Sequence, residues 1–256
     1  MSSWNPEQYE RFRNERSKPF FDLLDMVTPI PGGRAIDLGC GTGELTKVMH
    51  ERVGAKSTVG LDNSETMLER SREQAGSGLA FKLGTILRFR PRTPYDLVFS
   101  NAALQWVDEH ESLFPKLAEA VAPGGQIAIQ MPDNDTHVSH LVADALADED
   151  PFLRVLGGPR TWPVLAPERY AEILDSLGFT DIEVVLRIYV HHLESRDSIV
   201  EWVKGTYLTY YKARLTEQEY EEFLKRYREG LYAALPDTRP VVYTYRRLLM
   251  HAVKAS

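Results

Sequence analysis

Twelve residues, "AIDLGCGTGELT" at 35–46, carry the densest chemical signal in the chain: an apolar run reaches the acid Asp37, and glycines follow at 39, 41 and 43. Glycines at this spacing permit positive φ and let backbone N–H groups close in on a ligand, where a Cβ would obstruct both. Two phosphate-binding readings weaken. The dinucleotide fingerprint G-x-G-x-x-G needs its third glycine at the position held by Glu44, and a G-x-x-x-x-G-K-[ST] loop is absent. A carboxylate at Asp37 would repel a pyrophosphate, whereas it suits a cationic ligand such as an α-ammonium group. A second acid, Asp62, closes the next apolar run, "STVGL" at 57–61, at the distance expected of a group that accepts two ribose hydroxyls.

Such residues need elements that bring strand ends together. Apolar runs at 34–38, 57–61, 79–83, 96–100 and 126–130 read as strands, separated by stretches long enough for crossover helices, a rhythm that favours a parallel sheet. After Met131 the rhythm changes. Residues 138–147, 167–177, 195–209 and 216–234 read as helices, with Pro167 in a first turn and a capping box from Thr216 to Glu219. "IEVVLRIYV" (182–190) and "RRLLMHAVKA" (246–255) read as late strands. The expectation is one domain over 1–256. Its core is 30–132 plus 178–194 and 241–254, and a helical cap comes from 1–29 and 133–240, the strand near 182–190 excepted.

Composition narrows the function. The 256 residues carry a net charge of −7 and a pI near 5.6, which gives no global attraction to nucleic acid or to an anionic membrane. No run of 18 apolar residues occurs, and "MSSWNPEQYERFRNERSKPF" is too charged for a signal-peptide core. A lone cysteine, Cys40, forms no internal disulfide. A cytoplasmic, monomeric protein acting on a small molecule is expected.

The succession strand, D-x-G-x-G-x-G, helix, strand, Asp resembles the class I S-adenosylmethionine-dependent methyltransferases over about residues 30–132. The resemblance implies an α/β, Rossmann-like seven-stranded, mostly parallel sheet with helices on both faces and a helical cap, and S-adenosylmethionine as cofactor. It also implies that Asp37, Leu38, Gly39, Cys40, Gly41 and Gly43 hold the methionine part, Asp62 the ribose, and Asn63 and Met67 the surroundings of the adenine. Where that family often has an aspartate after the third strand, this chain has Thr85, followed by Ile86. A hydroxyl still accepts one hydrogen bond. Asn101, Ala102 and Trp106, after the fourth strand, complete the implied cofactor set.

A narrower likeness lies in "SNAALQW" (100–106), "QMPDN" (130–134), "WNPEQYERFRNERSKP" (4–19), "VEWVKGT" (200–206) and "FLKRY" (223–227). Together these are similar, nearly end to end, to the trans-aconitate methyltransferases, which esterify a carboxylate of a small unsaturated tricarboxylic acid. Two stretches depart from that family. Its Gly-Leu-Arg-Pro is here Tyr207-Leu208-Thr209-Tyr210, and its Pro-Arg-Leu is Arg246-Arg247-Leu248, so an expected arginine is missing at Thr209. Candidates to meet the substrate are Arg16, His137, Arg160, Tyr207 and Arg247, joined by Trp4, Gln105 and Asn134 from the shared motifs.

Methyl transfer to a carboxylate is an in-line displacement by a nucleophile that is already ionised, so no catalytic acid or base is nominated. The other carboxylates of a polyanion call for arginine, histidine or similar donors. Methylation of another small acid or a phenol, and a non-catalytic module binding S-adenosylmethionine or S-adenosylhomocysteine, are the alternatives. Nucleic-acid methylation is disfavoured because Asn101-Ala102-Ala103-Leu104 lacks the double proline and aromatic residue of such enzymes, and "RFRPRTP" (88–94) reads as a solvated loop. No metal is expected: Asp133-Asn134 would need an acid where Asn101 stands, and His137 with His140 is only a pair. For the aromatic set Trp4, Tyr9, Phe12, Trp106, Tyr207, Tyr210 and Tyr211, core packing and a pocket lining both stay open.

Overall fold

The computed structural model describes residues 13–256, with side chains from Ser17 onward. The described residues fall into two compact units, one of 18–132, 163–187 and 247–256, the other of 13–17, 133–162 and 188–246. The elements are α1 (Arg13–Leu24), β1 (Arg34–Leu38), α2 (Glu44–Val53), β2 (Ser57–Asp62), α3 (Glu65–Ser71), β3 (Leu79–Leu83), β4 (Tyr95–Asn101), α4 (His110–Glu119), β5 (Val121–Pro132), α5 (Val138–Ala147), α6 (Phe152–Leu156), α7 (Pro167–Ser176), β6 (Phe179–Leu193), α8 (Arg196–Lys204), α9 (Thr209–Lys212), α10 (Glu217–Ala234) and β7 (Val241–Lys254). Their sheet has seven strands in the order β3-β2-β1-β4-β5-β7-β6.

In the first unit, β1 to β5 pair in parallel and β7 runs antiparallel to β5. The order reverses between β1 and β4. That places a crevice at the carboxyl ends of these strands, where open α/β sheets take their ligands. The central strands bury both faces, as apolar runs in a parallel sheet must. Leu97 and Phe99 pack on one side with Phe20, Leu23 and Met49, while Val98 packs on the other with Leu113, Phe114 and Tyr170.

The second unit has its own core, in which α5, α8 and α10 surround Trp202, Phe223, Tyr227 and Tyr243. Here α10 starts on the expected capping box: Glu219 N–H donates to Thr216 Oγ1 at 3.3 Å, and Thr216 N–H donates to Glu219 Oε2 at 2.8 Å. The helix expected over 195–209 is two helices. α8 stops at Lys204 with Gly205 as its cap, Leu208 N–H turns back to Val203 O at 3.0 Å, and α9 restarts at Thr209. Glycine weakens the helix there, and the turn buries Tyr207 and Leu208. The last three strands also extend beyond the apolar runs that announce them, β5 beginning at Val121, β6 at Phe179 and β7 at Val241.

Candidate cofactor and substrate sites

In the sheet unit the turn from β1 to α2 is fastened to the end of β2. The N–H groups of Gly39 and Cys40 both donate to Leu61 O, at 2.7 and 3.1 Å, and Gly41 N–H donates to Asp62 Oδ2 at 2.9 Å. Gly39 has φ +83°, and a Cβ there would lie 2.2 Å from that of Ala103, so the loop after β4 approaches bare backbone. Gly41, at φ +56°, would point a Cβ into open space. Asp62 is half-buried, and its other oxygen accepts from Ser64 N–H at 2.9 Å. With four lone-pair positions on a carboxylate and one backbone donor on each oxygen, Asp62 retains capacity for a vicinal diol.

Asp37 stands beside Gly60 and Phe99 in the sheet and is 4 % exposed. Its Oδ2 accepts from the Thr46 hydroxyl at 2.6 Å. Burial, aided by the charge of Asp62 and opposed by the Thr46 bond, pushes its pKa up to about 7. A buried acid with a like-charged neighbour favours a cationic ligand, which restores its charged form. Leu38 is fully buried. Burial, then Asp37 and Asp62, push the Cys40 thiol far up, so it stays protonated and is no nucleophile.

The implied adenine residues follow β2 and β3, Met67 lying within α3. Asn63 is exposed and Met67 half-buried, with Met67 N–H donating to the cap Ser64 at 3.4 Å. Thr85 Oγ1 accepts from Leu87 N–H at 3.3 Å and keeps a second lone pair, and Ile86 is half-buried against the core. At the end of β4, Asn101 Oδ1 is buried without a hydrogen-bond partner among the described residues. Ala102 follows with φ +54°, a strained conformation of the kind found where backbone is shaped for a ligand. Gln105 is buried with Nε2 donating to Ala102 O at 2.7 Å, and Trp106 is 47 % exposed.

Of the expected substrate contacts, Asn134, His137, Arg160 and Tyr207 belong to the helical unit and Arg247 to the sheet unit. The side chains of Trp4 and Arg16 lie outside the described residues, as do those of Tyr9 and Phe12. Asn134 is buried and its Oδ1 accepts from Arg246 N–H at 3.0 Å. His137 caps α5, its Nδ1 accepting from Ser139 N–H at 3.1 Å, and burial lowers its pKa. Tyr207 spends its hydroxyl on Asp144 Oδ1 at 2.5 Å, an oxygen that also accepts from Tyr211 at 2.7 Å. Arg247 is 6 % exposed, with Nη1 3.5 Å from Gln130 Oε1. Asp133 pairs with the Arg246 guanidinium at 2.7 Å. His137 and His140 face different rings, Tyr243 and Tyr207, and among the described residues no group of three metal-ligating side chains converges.

Sequence reasoning passed over Asp144 and Trp162 entirely and read His140 only as half of a metal pair. The Arg160 guanidinium lies 4.9 Å from the ring centre of Trp162 and 5.8 Å from that of Tyr207. The spacing of Asp144, Tyr207 and Tyr211 along the chain holds no local signal of their contact.

Residues 30–164 match a family model described as a methyltransferase domain. A trans-aconitate 2-methyltransferase of Deinococcus radiodurans is 39% identical to the chain, covering 98% of each. One from Sinorhizobium fredii is 38% identical over 99% of this chain and 100% of its own. Phosphoethanolamine N-methyltransferase 2 of Haemonchus contortus, solved with phosphomonomethylethanolamine and S-adenosylhomocysteine, matches with a TM-score of 0.56 at 21% identity, over 93% of this chain and 52% of that one. That likeness is one of fold.

Proposed function

The chain belongs to the trans-aconitate 2-methyltransferase family, and from that premise we propose that it esterifies one carboxylate of trans-aconitate or of a closely related di- or tricarboxylic acid. It is an S-adenosylmethionine-dependent methyltransferase. When bound, S-adenosylmethionine supplies a methyl group on a sulfonium, which an oxygen anion displaces in line, leaving a methyl ester and S-adenosylhomocysteine.

The residues present fit that cofactor. Open space at Gly41 accepts a ligand against bare backbone, the buried Asn101 Oδ1 awaits a donor, and Asp37 and Asp62 offer carboxylates for an ammonium group and a diol. In this reading the loop 37–43 holds the methionine part, Asp62 the ribose, and Met67, Thr85 and Ile86 the adenine, with Thr85 accepting one bond from its amino group. The acceptor carboxylate carries no proton to remove, so the chain has only to hold it, aim it and keep water away. Because the thiol of Cys40 stays protonated, it does not compete for the methyl group. A monomer in the cytoplasm, using a free small acid, completes the reading.

The observation that carries this proposal is identity of 39% over almost the whole of a relative, with the donor loop intact. Incubation with methyl-labelled S-adenosylmethionine and a panel of trans-aconitate, cis-aconitate, citrate, aromatic acids and phenols tests it. The expected product, by mass spectrometry, is a base-labile monomethyl ester of trans-aconitate or a near analogue. A base-stable methyl ether from a phenol, or binding of S-adenosylhomocysteine with no turnover of any acid, would overturn it.

A further inference from the structure

In α5 of the helical unit, His140 is 1 % exposed, and neither ring nitrogen closes a hydrogen bond with any of the described residues. Its ring stacks on Tyr207, the centroids 4.1 Å apart and the planes within 18°. Two other donors gather on the same tyrosine. Trp162 lies 6.0 Å from the Tyr207 ring and 6.3 Å from His140, and the Arg160 guanidinium stands over both Trp162 and Tyr207. The Trp162 indole N–H is likewise buried without a partner among the described residues. The Tyr207 hydroxyl gives its proton to Asp144, and its oxygen closes no bond to either of these groups.

Buried polar atoms are almost always satisfied, and each exception needs an occupant or an explanation. Here an imidazole, an indole N–H and a guanidinium cluster around one ring, two of them with unfilled hydrogen-bonding capacity. A cation is a poor occupant beside Arg160. A carboxylate suits the set, since arginine and neutral N–H donors together stabilise an anion in a desolvated place. Burial first, then the charge of His137, hold the His140 pKa down to about 3, with Arg160 adding to this and a polar contact to the Asn134 backbone, too poorly aligned to count as a hydrogen bond, opposing it, so the imidazole is a neutral donor. The carboxylate of Asp144 is engaged by the hydroxyls of Tyr207 and Tyr211.

We propose that His140, Trp162 and Arg160 form a carboxylate-binding subsite that selects the acid substrate. The identity of that acid rests on the function proposed above, whereas the binding of a carboxylate by these three residues does not.

The test uses the full-length protein and two variants that keep an aromatic ring while removing the donor, His140→Phe and Trp162→Phe. With trans-aconitate as substrate, each should raise KM ten- to a hundredfold, leave kcat within about threefold, and leave S-adenosylhomocysteine affinity and melting temperature unchanged or, for His140→Phe, leave the melting temperature higher. A purely structural role would instead lower stability or move cofactor affinity. In parallel, the side-chain nitrogen resonances of 15N-labelled His140 are followed while trans-aconitate or citrate is added in the presence of S-adenosylhomocysteine, and they should shift at saturation. Unchanged KM in both variants while the wild type esterifies trans-aconitate would sink the subsite and leave the function standing. His140 resonances that respond to citrate in an enzyme that methylates neither acid would keep the subsite and remove the function. Resonances unmoved by either acid would show that the buried donors serve only water, which also overturns the proposal.

Discussion

Replacing Asp37 by asparagine should make the protein more stable and a worse cofactor binder, two effects of one buried charge. Asp37 is pushed from an ordinary 3.8 up to about 7, mainly by burial. Three pKa units correspond to roughly 4 kcal/mol of cost for carrying the charge in the folded state. Between about pH 4 and 7 the unfolded chain releases a proton that the folded chain keeps, so this group lowers stability as pH rises through that window, and the full cost is present above it. Asparagine carries no such charge, and its amide oxygen can still accept from Thr46. If relaxation absorbs half the effect, about 2 kcal/mol is left, worth roughly 4–8 °C in melting temperature for a chain of this size. Thermal melts of the cofactor-free protein should show this gain at pH 8 and its decline toward pH 4. Calorimetry with S-adenosylhomocysteine should show the opposite trend: a ten- to hundredfold weaker Kd for the variant at pH 8, and a wild-type affinity that weakens below pH 7 by up to tenfold per unit while that of the variant stays flat. A variant that melts lower at pH 8, or a wild-type Kd that is level from pH 5.5 to 8, would refute the argument.

Two further tests of the loop are Gly39→Ala and Gly41→Ala. The first drives a Cβ to within 2.2 Å of Ala103 and should lower the melting temperature by more than about 5 °C. The second meets nothing, should cost only about 1–2 kcal/mol of backbone strain, and should weaken S-adenosylhomocysteine binding at least tenfold; normal binding would place the ligand elsewhere. Asp62→Ala should weaken the same binding about a hundredfold with circular dichroism unchanged, since it removes charge-assisted bonds, and an unaltered Kd would remove Asp62 from the site. Turnover should survive EDTA, because an ionised carboxylate needs no Lewis acid; loss of activity that magnesium restores would contradict this.

The glycine loop after β1 was legible because its parts are contiguous. Strand, acid, glycines and helix start occupy a dozen residues, and each follows from a local rule about φ, burial or periodicity. β1 and β3 also begin and end where the apolar runs do, β1 in the buried middle of the sheet and β3 at its edge. β5, β6 and β7 run on past those runs, so an apolar run alone does not give their limits. The helix expected over 195–209 misled for a related reason: Tyr207, Leu208 and Tyr211 continue an apolar period, but a backbone turn at Gly205 intervenes. Nor could sequence alone place Asp144 under two tyrosines 63 and 67 residues away, or show that Tyr207 packs its ring against His140 and has no hydroxyl to offer a substrate.

The two ligands therefore make different demands on the sequence. In the proposed reading the donor is met by open backbone at Gly41 and by two carboxylates at strand ends, and many side chains can accompany that arrangement provided the glycines stay. The acid, if His140, Trp162 and Arg160 receive it, is met by side chains alone. Arg160 and Trp162 come from the segment between α6 and α7, His140 from α5, and the ring they share from the turn between α8 and α9. Since the nucleophile arrives ionised, none of these groups must hold a particular pKa for chemistry, and each is free to change with the shape and charge of the acid. The arginine expected at position 209 illustrates the point. Thr209 is 8 % exposed and closes its hydroxyl on Thr206 O at 2.5 Å, a buried place where a guanidinium would have no room without repacking. If the acid is to meet a cation beside this turn, it comes from another segment, and Arg160 is stationed over Tyr207 and Tyr210.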